Sequence, residues 1–220
     1  MIMFNQETMN HMLLYAAGRI INKVSYFNDL DSHTGDGDHG TTLLRVCHCI
    51  EATLAKPEEN WAKQYDDLGW LIMSQDGGSA GMLIGNFYIG LSQGLTQPIL
   101  TPNETAKAFR LGLQRVQHFS GAKRGDKTML DALIPAVEAM ECAALDGGTA
   151  SDMCFKAAEA AQLGAEETIG MKASRGRAKN MGENSRGYID PGAASMAMLF
   201  ESFGLYFIKE RAEEEELCDG

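Results

Sequence analysis

The sequence lacks the features that mark secreted, membrane-spanning and nucleic-acid-binding proteins. Its five cysteines include no C-x-x-C pair, which favours reduced thiols and a cytoplasmic location over a disulfide framework. The first ten residues contain no basic stretch followed by an apolar core, which predicts no signal peptide. No apolar run approaches the roughly 20 residues of a membrane span. The formal net charge of −11 argues against nucleic acid as a partner, because phosphate backbones bind basic surfaces.

Alternating β-branched stretches are also scarce, and valine occurs only at positions 24, 46, 116 and 137. Apolar residues recur instead at helical spacing, beginning with the stripe Leu13, Ala17, Ile20 and Val24. The same period marks segments 43–54, 61–74, 80–92, 104–119, 129–145, 151–169 and 192–210. The pattern predicts an all-α protein of about eight helices. We expect one domain over residues 1–210, followed by an acidic, flexible tail over residues 211–220.

Four of the turns between these helices are rich in glycine, aspartate, serine and lysine. They lie within residues 30–42, 75–81, 120–131 and 174–195. In an up-and-down bundle, alternate loops lie at the same end. The sequence therefore permits a shared site at one end of the bundle.

The first of these turns contains GDGDHG, residues 35–40, which has the glycine spacing of a dinucleotide-binding fingerprint. The segment before it is helical, and the βαβ alternation that this fingerprint requires is missing. GAKRGDKT, residues 121–128, resembles a P-loop, but its second glycine comes one residue early and no strand precedes it. An EF-hand fails because the ligand positions after Asp38 are occupied by glycine and cysteine. The spacing of His33, His39, Cys47 and His48 matches no common zinc framework.

Asp31, Asp36 and Asp38 lie within eight residues. Three carboxylates so close repel one another unless a cation or protons intervene. One interpretation is a Mg²⁺ site, and the other is a solvated turn with helix-capping aspartates; spacing alone does not decide between them. A helix follows, so backbone N–H groups and hydroxyls at Thr41 and Thr42 offer phosphate ligands beside the carboxylates. That combination favours a metal–nucleotide site.

Five motifs in this order then identify a resemblance: LDSHTGDGDHGTT, DGGSAG, GDKTMLDAL, GRA and DPGA. Together they resemble the nucleotide-binding L subunit of dihydroxyacetone kinases over nearly the whole chain. The resemblance implies a barrel of eight antiparallel amphipathic helices, with ADP or ATP and two Mg²⁺ ions at one rim. It also implies that Asp31, Asp36 and Asp38 are the metal ligands.

The resemblance implies a nucleotide site assembled from several loops. The implied contacts are His39, Gly40, Thr41, Thr42, Ser79, Ala80, Gly121, Met129, Arg177, Asp190, Pro191 and Gly192. Arg177 suits a phosphate stabiliser, since its guanidinium is a fixed fork with a permanent charge. For Lys127 and Asp131, in the matching stretch, helix capping or an ion pair is as good an interpretation as ligand contact.

In this family a separate K subunit or domain holds the ketose, and nothing in the sequence matches it. The resemblance therefore implies half of a kinase for dihydroxyacetone or a similar short ketose such as erythrulose. The phosphoryl donor would be ATP or a histidine-phosphoprotein of the sugar phosphotransferase system. Two alternatives stay open: a subunit of a fatty-acid-kinase-like system, and a non-enzymatic, ADP-dependent regulatory module.

Overall fold

The computed structural model describes residues 4–218 and consists almost entirely of helices. The α-helices of this part are α1 (Gln6–Ile21), α2 (Val24–Ser32), α3 (His39–Leu54), α4 (Trp61–Met73), α5 (Gly78–Ser92), α6 (Pro102–Ser120), α7 (Leu130–Leu145), α8 (Ala150–Glu167) and α9 (Pro191–Cys218). Two 3₁₀ helices, Thr168–Gly170 and Arg177–Ser185, lie between α8 and α9. Strands β1 (Phe4–Asn5) and β2 (Ile99–Leu100) pair antiparallel, with Phe4 opposite Leu100.

Eight of these helices form a closed ring, as expected of an all-α barrel. α1 packs on α3, each helix from α3 to α8 packs on the next, and α9 returns to α1. The remaining helix, α2, lies against α3 and α9 outside the ring. No helix of the described part combines the length and hydropathy that a membrane span needs.

Local signals set several helix boundaries. Thr101 and Glu104 form a reciprocal capping box, and Pro102 occupies the first turn of α6, as the sequence TPNET predicts. Gly121 ends α6 in the left-handed conformation, with φ of 59°, which confirms it as a stop signal. Helix α9 continues to Cys218, whereas the periodicity was expected to end at residue 210. Side chains at 211 and 213–218, and all of residues 219–220, lie outside the described part, and the flexibility of the predicted tail over residues 211–220 stays a prediction.

The single helix expected through Val24 is wrong, because the chain breaks at Asn22 and Lys23 between α1 and α2. Apolar spacing continues across the break, so periodicity alone does not detect it. The break allows α2 to approach α3 closely. A Cβ at Gly40 would lie 2.0 Å from the carbonyl oxygen of Val24, and glycine is therefore required at this contact.

The core fills the inside of the ring. Phe109 is at its centre, with ring centroids 6.0–6.4 Å from those of Phe4, Phe87, Phe200 and Phe203. Edge-to-face and tilted packing at these distances is favourable for aromatic rings. The glycine-rich loops lie outside this core, where they are free to form a site.

Candidate functional site

The four loops identified in the sequence line one cavity of about 520 Å³ at one rim of the barrel. They precede α3, α5, α7 and α9. Because these are alternate helices of an up-and-down ring, all four begin at the same rim. Helix N-termini present free N–H groups and a partial positive charge, which suits an anionic ligand.

One end of the cavity is acidic. Carboxylate oxygens of Asp31, Asp36 and Asp38 lie within 4.8 Å of one another. Asp31 lies in the last turn of α2, and its Oδ2 accepts the N–H of Asp38 at 3.0 Å. A Cβ at Gly35 would lie 2.1 Å from Asp31 Oδ1, so glycine is needed where the turn folds over this carboxylate. Asp38 precedes α3 but makes no side-chain capping bond, which leaves its carboxylate available for the cluster.

The donor set fits Mg²⁺, which prefers carboxylate oxygens at about 2.0–2.1 Å. Two ligands of one octahedral ion lie at most about 4.2 Å apart by the same distances. The 4.8 Å cluster is close to that limit, so a small inward movement of one carboxylate would place all three on one ion. The hard oxygen donors do not favour zinc.

Arg177 provides the positive charge nearest to this cluster. It begins the second 3₁₀ helix, and its Nη1 is hydrogen-bonded to Asp36 Oδ2. Both side chains are partly exposed. The contact joins residues 141 positions apart in the sequence and closes the acidic end of the cavity.

The other end of the cavity is apolar. It is lined by Met82, Leu83, Phe119, Ala122, Met129 and Leu130. Met82 and Phe119 are 45% and 54% exposed, and accessible apolar side chains of this kind are typical of ligand-binding cavities. The sequence reasoning identified Met129 but missed Phe119, because an aromatic near a helix end has no spacing that distinguishes it from a core residue.

Most of the predicted site residues line this cavity. They are Asp31, Asp36, Asp38, His39, Thr42, Ser79, Ala80, Met129, Arg177, Asp190, Pro191 and Gly192. Gly40, Thr41 and Gly121 are not among the lining residues. Thr41 faces α2 instead, where its N–H and hydroxyl are bonded to the Asn28 amide at 3.0 and 3.3 Å. The carbonyl of Gly121 accepts a 2.8 Å bond from Arg175.

His39 connects the start of α3 to the start of α9. Its Nε2 lies 3.0 Å from Ser195 Oγ on α9, and its ring meets Phe27 edge-on. Burial lowers the pKa of His39 to about 4, although the Asp31 charge opposes this shift. The imidazole is therefore neutral at pH 7 and holds α3 against α9.

Asp190 caps α9 at the cavity wall. Its Oδ2 accepts the N–H of Ala193 at 2.8 Å, while its own N–H donates to Thr168 Oγ1 at 2.9 Å. Burial raises the pKa of Asp190 to about 7, against the lowering effect of the Ala193 bond. This carboxyl changes its charge near neutral pH.

The loop between α6 and α7 is locked by its own aspartates. Asp131 accepts the N–H groups of Gly125 and Thr128 at 2.5 and 2.7 Å. Asp126 accepts the N–H of Lys123 at 2.9 Å and the hydroxyl of Ser174 at 2.6 Å. Asp131 thus fixes the loop in front of α7, whose N-cap residue is Met129.

Fold and cavity together define a class: an all-α barrel whose rim carries a carboxylate cluster suited to a divalent metal beside converging helix N-termini. The DAK2 domain family model matches residues 33–204, and the chain belongs to this family.

Several relatives cover most of the chain. It is 32% identical over 82% of its length to the Escherichia coli PEP-dependent dihydroxyacetone kinase, ADP-binding subunit DhaL, and spans 87% of that protein. It is 33% identical over 86% of its length to the corresponding subunit of the Listeria innocua PEP-dependent dihydroxyacetone kinase 2, and spans 89% of it.

A solved structure also resembles this fold. It is the dihydroxyacetone kinase of C. freundii in complex with AMP-PNP and Mg²⁺, with a TM-score of 0.72 and 27% identity over 93% of this chain. The chain spans 35% of that protein, and 33% of a probable dihydroxyacetone kinase of Dictyostelium discoideum at 29% identity over 90% of its own length. It therefore corresponds to a third of the longer kinases and to most of the stand-alone subunits.

Proposed function

We propose that this chain is the ADP- or ATP-binding subunit of a kinase for dihydroxyacetone or a similar short ketose. The observation that carries the proposal is the division of one cavity into an acidic, metal-binding end and an apolar end, with four helix N-termini around it. A nucleoside diphosphate has the same division into a metal-bound anionic part and a flat apolar base.

Each part of the nucleotide then has a chemical counterpart. Asp31, Asp36 and Asp38 would hold magnesium, two ions in the full complex, and bound magnesium would neutralise charge on the phosphates. Thr42, Ser79 and Ala80 line the cavity near helix starts and would face the phosphates. Met129 and Phe119 would pack the base, and Arg177 would leave Asp36 to contact a phosphate oxygen.

The chain would transfer a phosphoryl group to a ketose held by a separate K subunit. The name of the Escherichia coli relative combines PEP dependence with ADP binding. This favours ADP held as a cofactor and rephosphorylated by a phosphoprotein of the phosphotransferase system, in the cytoplasm, over exchange of free ATP. Retained ADP in native mass spectra of the purified chain would support the cofactor mode, and an empty site would support free ATP.

The names of these relatives also favour a ketose over the acyl group of a fatty-acid kinase, and a kinase over a purely regulatory module. Erythrulose and dihydroxyacetone differ by one hydroxymethylene group, and their discrimination would belong to the K subunit.

Substitutions in the carboxylate cluster provide the direct test of the proposed function. In Asp36→Asn and Asp38→Asn, we expect Mg²⁺-dependent ADP affinity to fall by about 100-fold or more, because a carboxylate ligand of the ion is lost. Calorimetry with and without Mg²⁺ measures this, and Asp146→Asn, exposed at the end of α7, is the matched control. Full ADP affinity in both variants would overturn the proposal.

A further inference from the structure

Lys127 is unusual in both its backbone and its side chain. It is 1% exposed, and its φ of 59° makes it the only non-glycine residue with positive φ among residues 4–218. A left-handed backbone is unfavourable for a long side chain, and burial of an ammonium group is unfavourable as well. Burial accordingly lowers the pKa of Lys127, while the Asp190 and Asp131 charges oppose that shift and Arg186 adds to it.

The ammonium group of Lys127 bonds two carbonyls that are distant in the sequence. Nζ donates to Thr168 O at 2.6 Å and to Tyr188 O. These two carbonyls flank residues 170–187, which we call the rim segment. It carries Arg177 and leads directly into the Asp190 cap of α9.

The two ends of the rim segment also bond each other beside Lys127. Gly187 N–H donates to Ile169 O at 2.8 Å, and Asp190 N–H donates to Thr168 Oγ1 at 2.9 Å. We call residues 168–169 and 187–190 the neck of the rim segment. The Lys127 ammonium lies against this neck from the side of the cavity, which it also lines.

The adjacent residue holds the rim segment at a second point. Asp126 O accepts the N–H of Ser174 at 3.2 Å, and Asp126 Oδ1 accepts its hydroxyl at 2.6 Å. Two consecutive residues of the α6–α7 loop thus hold the beginning and the end of the segment that carries Arg177.

We propose that Lys127 is a positioning residue for the nucleotide site: its buried ammonium closes the neck and so places the rim segment and the start of α9 over the cavity. The proposal rests on the proposed function for the identity of the ligand, but not for the closure of the neck. Lys127 acts here through Thr168 and Tyr188, whereas a P-loop lysine contacts phosphate.

Hydrogen exchange of the ligand-free chain tests the closure directly. In the unmodified protein, we expect the neck amides of Gly187 and Asp190 to exchange on the order of tenfold more slowly than amides of residues 177–184, because local opening has to break the Lys127 bonds. Equal exchange in the neck and in residues 177–184 would overturn the proposal, and this measurement requires no variant.

Two substitutions separate the ammonium from the backbone. Lys127→Met removes the charge, and Lys127→Gly removes it while accepting the left-handed φ without strain. In both, we expect exchange of the neck to accelerate about tenfold while the α6 and α9 cores keep their protection. Lys123→Met, an exposed lysine of the same loop, should leave the neck unchanged.

Ligand binding then distinguishes positioning from direct contact. We expect ADP affinity in the presence of Mg²⁺ to fall about tenfold in Lys127→Gly, because misplacement of contact groups weakens binding. Mg²⁺ affinity without nucleotide should not fall, since α2, the turn after it and the residue before α3 carry the three aspartates. A loss of ADP affinity with an intact neck would make Lys127 a direct phosphate ligand and would overturn the proposal. An unmodified chain that binds no ADP but shows the protected neck would refute the proposed function alone.

Discussion

Arg177 and Asp36 form a contact that a bound metal would have to change. In the ligand-free chain the guanidinium neutralises one of three neighbouring carboxylates. A cation at the cluster competes for the same Asp36 oxygen, and a nucleotide phosphate offers Arg177 another partner. Removal of the Arg177 charge is therefore expected to have opposite effects on the two proposed ligands.

Replacement of Arg177 by methionine should reveal these opposite effects. We expect Mg²⁺ affinity without nucleotide to rise about two- to fivefold, because an exposed ion pair contributes up to roughly 1 kcal/mol. ADP affinity should fall about tenfold or more, since a hydrogen bond to a charged group contributes about 1.5–3 kcal/mol. Calorimetry measures both; Lys179→Met, exposed on the same 3₁₀ helix, controls for loss of charge. A decrease in both affinities would contradict the competition.

The raised pKa of Asp190 predicts that the stability of the folded chain depends on pH. Burial raises its pKa from 3.8 to about 7, so the folded chain binds this proton more tightly than the unfolded chain does. Its stabilising contribution is complete below pH 3.8 and is lost as the pH rises through 7.

In Asp190→Asn, the amide oxygen can still cap Ala193 but has no charge. We expect the free energy of unfolding of the unmodified chain to fall by about 2–3 kcal/mol relative to the variant between pH 5 and pH 8. Urea titrations without metal or nucleotide measure the difference. Parallel pH profiles for the two proteins would show that Asp190 does not titrate in this range.

At the scale of helices, the metal cluster depends on the close contact of α2 and α3. Asp31 lies on α2, and Asp38 lies at the start of α3. Gly40 allows the Val24 carbonyl to approach, and the Asn28 amide bonds Thr41 across the same interface. Packing between two helices thus sets the separation of the carboxylates.

Gly40→Ala should disturb this interface. A methyl group placed 2.0 Å from a backbone oxygen forces the helices apart, and we expect a loss of about 2–3 kcal/mol in stability together with weaker Mg²⁺ binding. Gly18→Ala on α1 is the matched control, since its Cβ would meet nothing within 4 Å; it should stabilise the chain by about 0.5–1 kcal/mol. Thermal unfolding and Mg²⁺ titration distinguish the two variants. Equal stability and equal Mg²⁺ affinity in Gly40→Ala and Gly18→Ala would contradict the packing argument.

At the scale of the whole molecule, the barrel carries the proposed nucleotide site and corresponds to only about a third of the longer kinases that it resembles. The proposed ketose would therefore be bound outside this barrel. The rim that carries the cavity is the face on which phosphoryl transfer would take place.

The chain alone should therefore fail to phosphorylate dihydroxyacetone from ATP. A coupled assay for dihydroxyacetone phosphate measures this, and addition of the ketose-binding subunit of a related kinase is the positive control. Sustained turnover by the single chain would show that it binds the ketose itself.

Local features were predictable from the sequence. Helical periodicity identified the helices that form the ring, and the capping signals located α6. The spacing of Asp31, Asp36 and Asp38 indicated that their carboxylates lie close together, while metal binding there stays a prediction. These properties depend on residues a few positions apart. The break before α2 was not predictable, because apolar spacing continues through it and the contact that it allows, with Gly40, lies in a different helix.

The sequence by itself determined an all-helical chain with glycine- and aspartate-rich turns, because periodicity and turn chemistry are short-range; the barrel was implied by the family resemblance. Only the tertiary structure decided what individual side chains in those loops do. It placed Thr41 on Asn28, Phe119 on the cavity wall and the Lys127 ammonium on the Thr168 carbonyl, 41 positions away. Such contacts depend on how distant segments pack against one another, which local spacing does not encode.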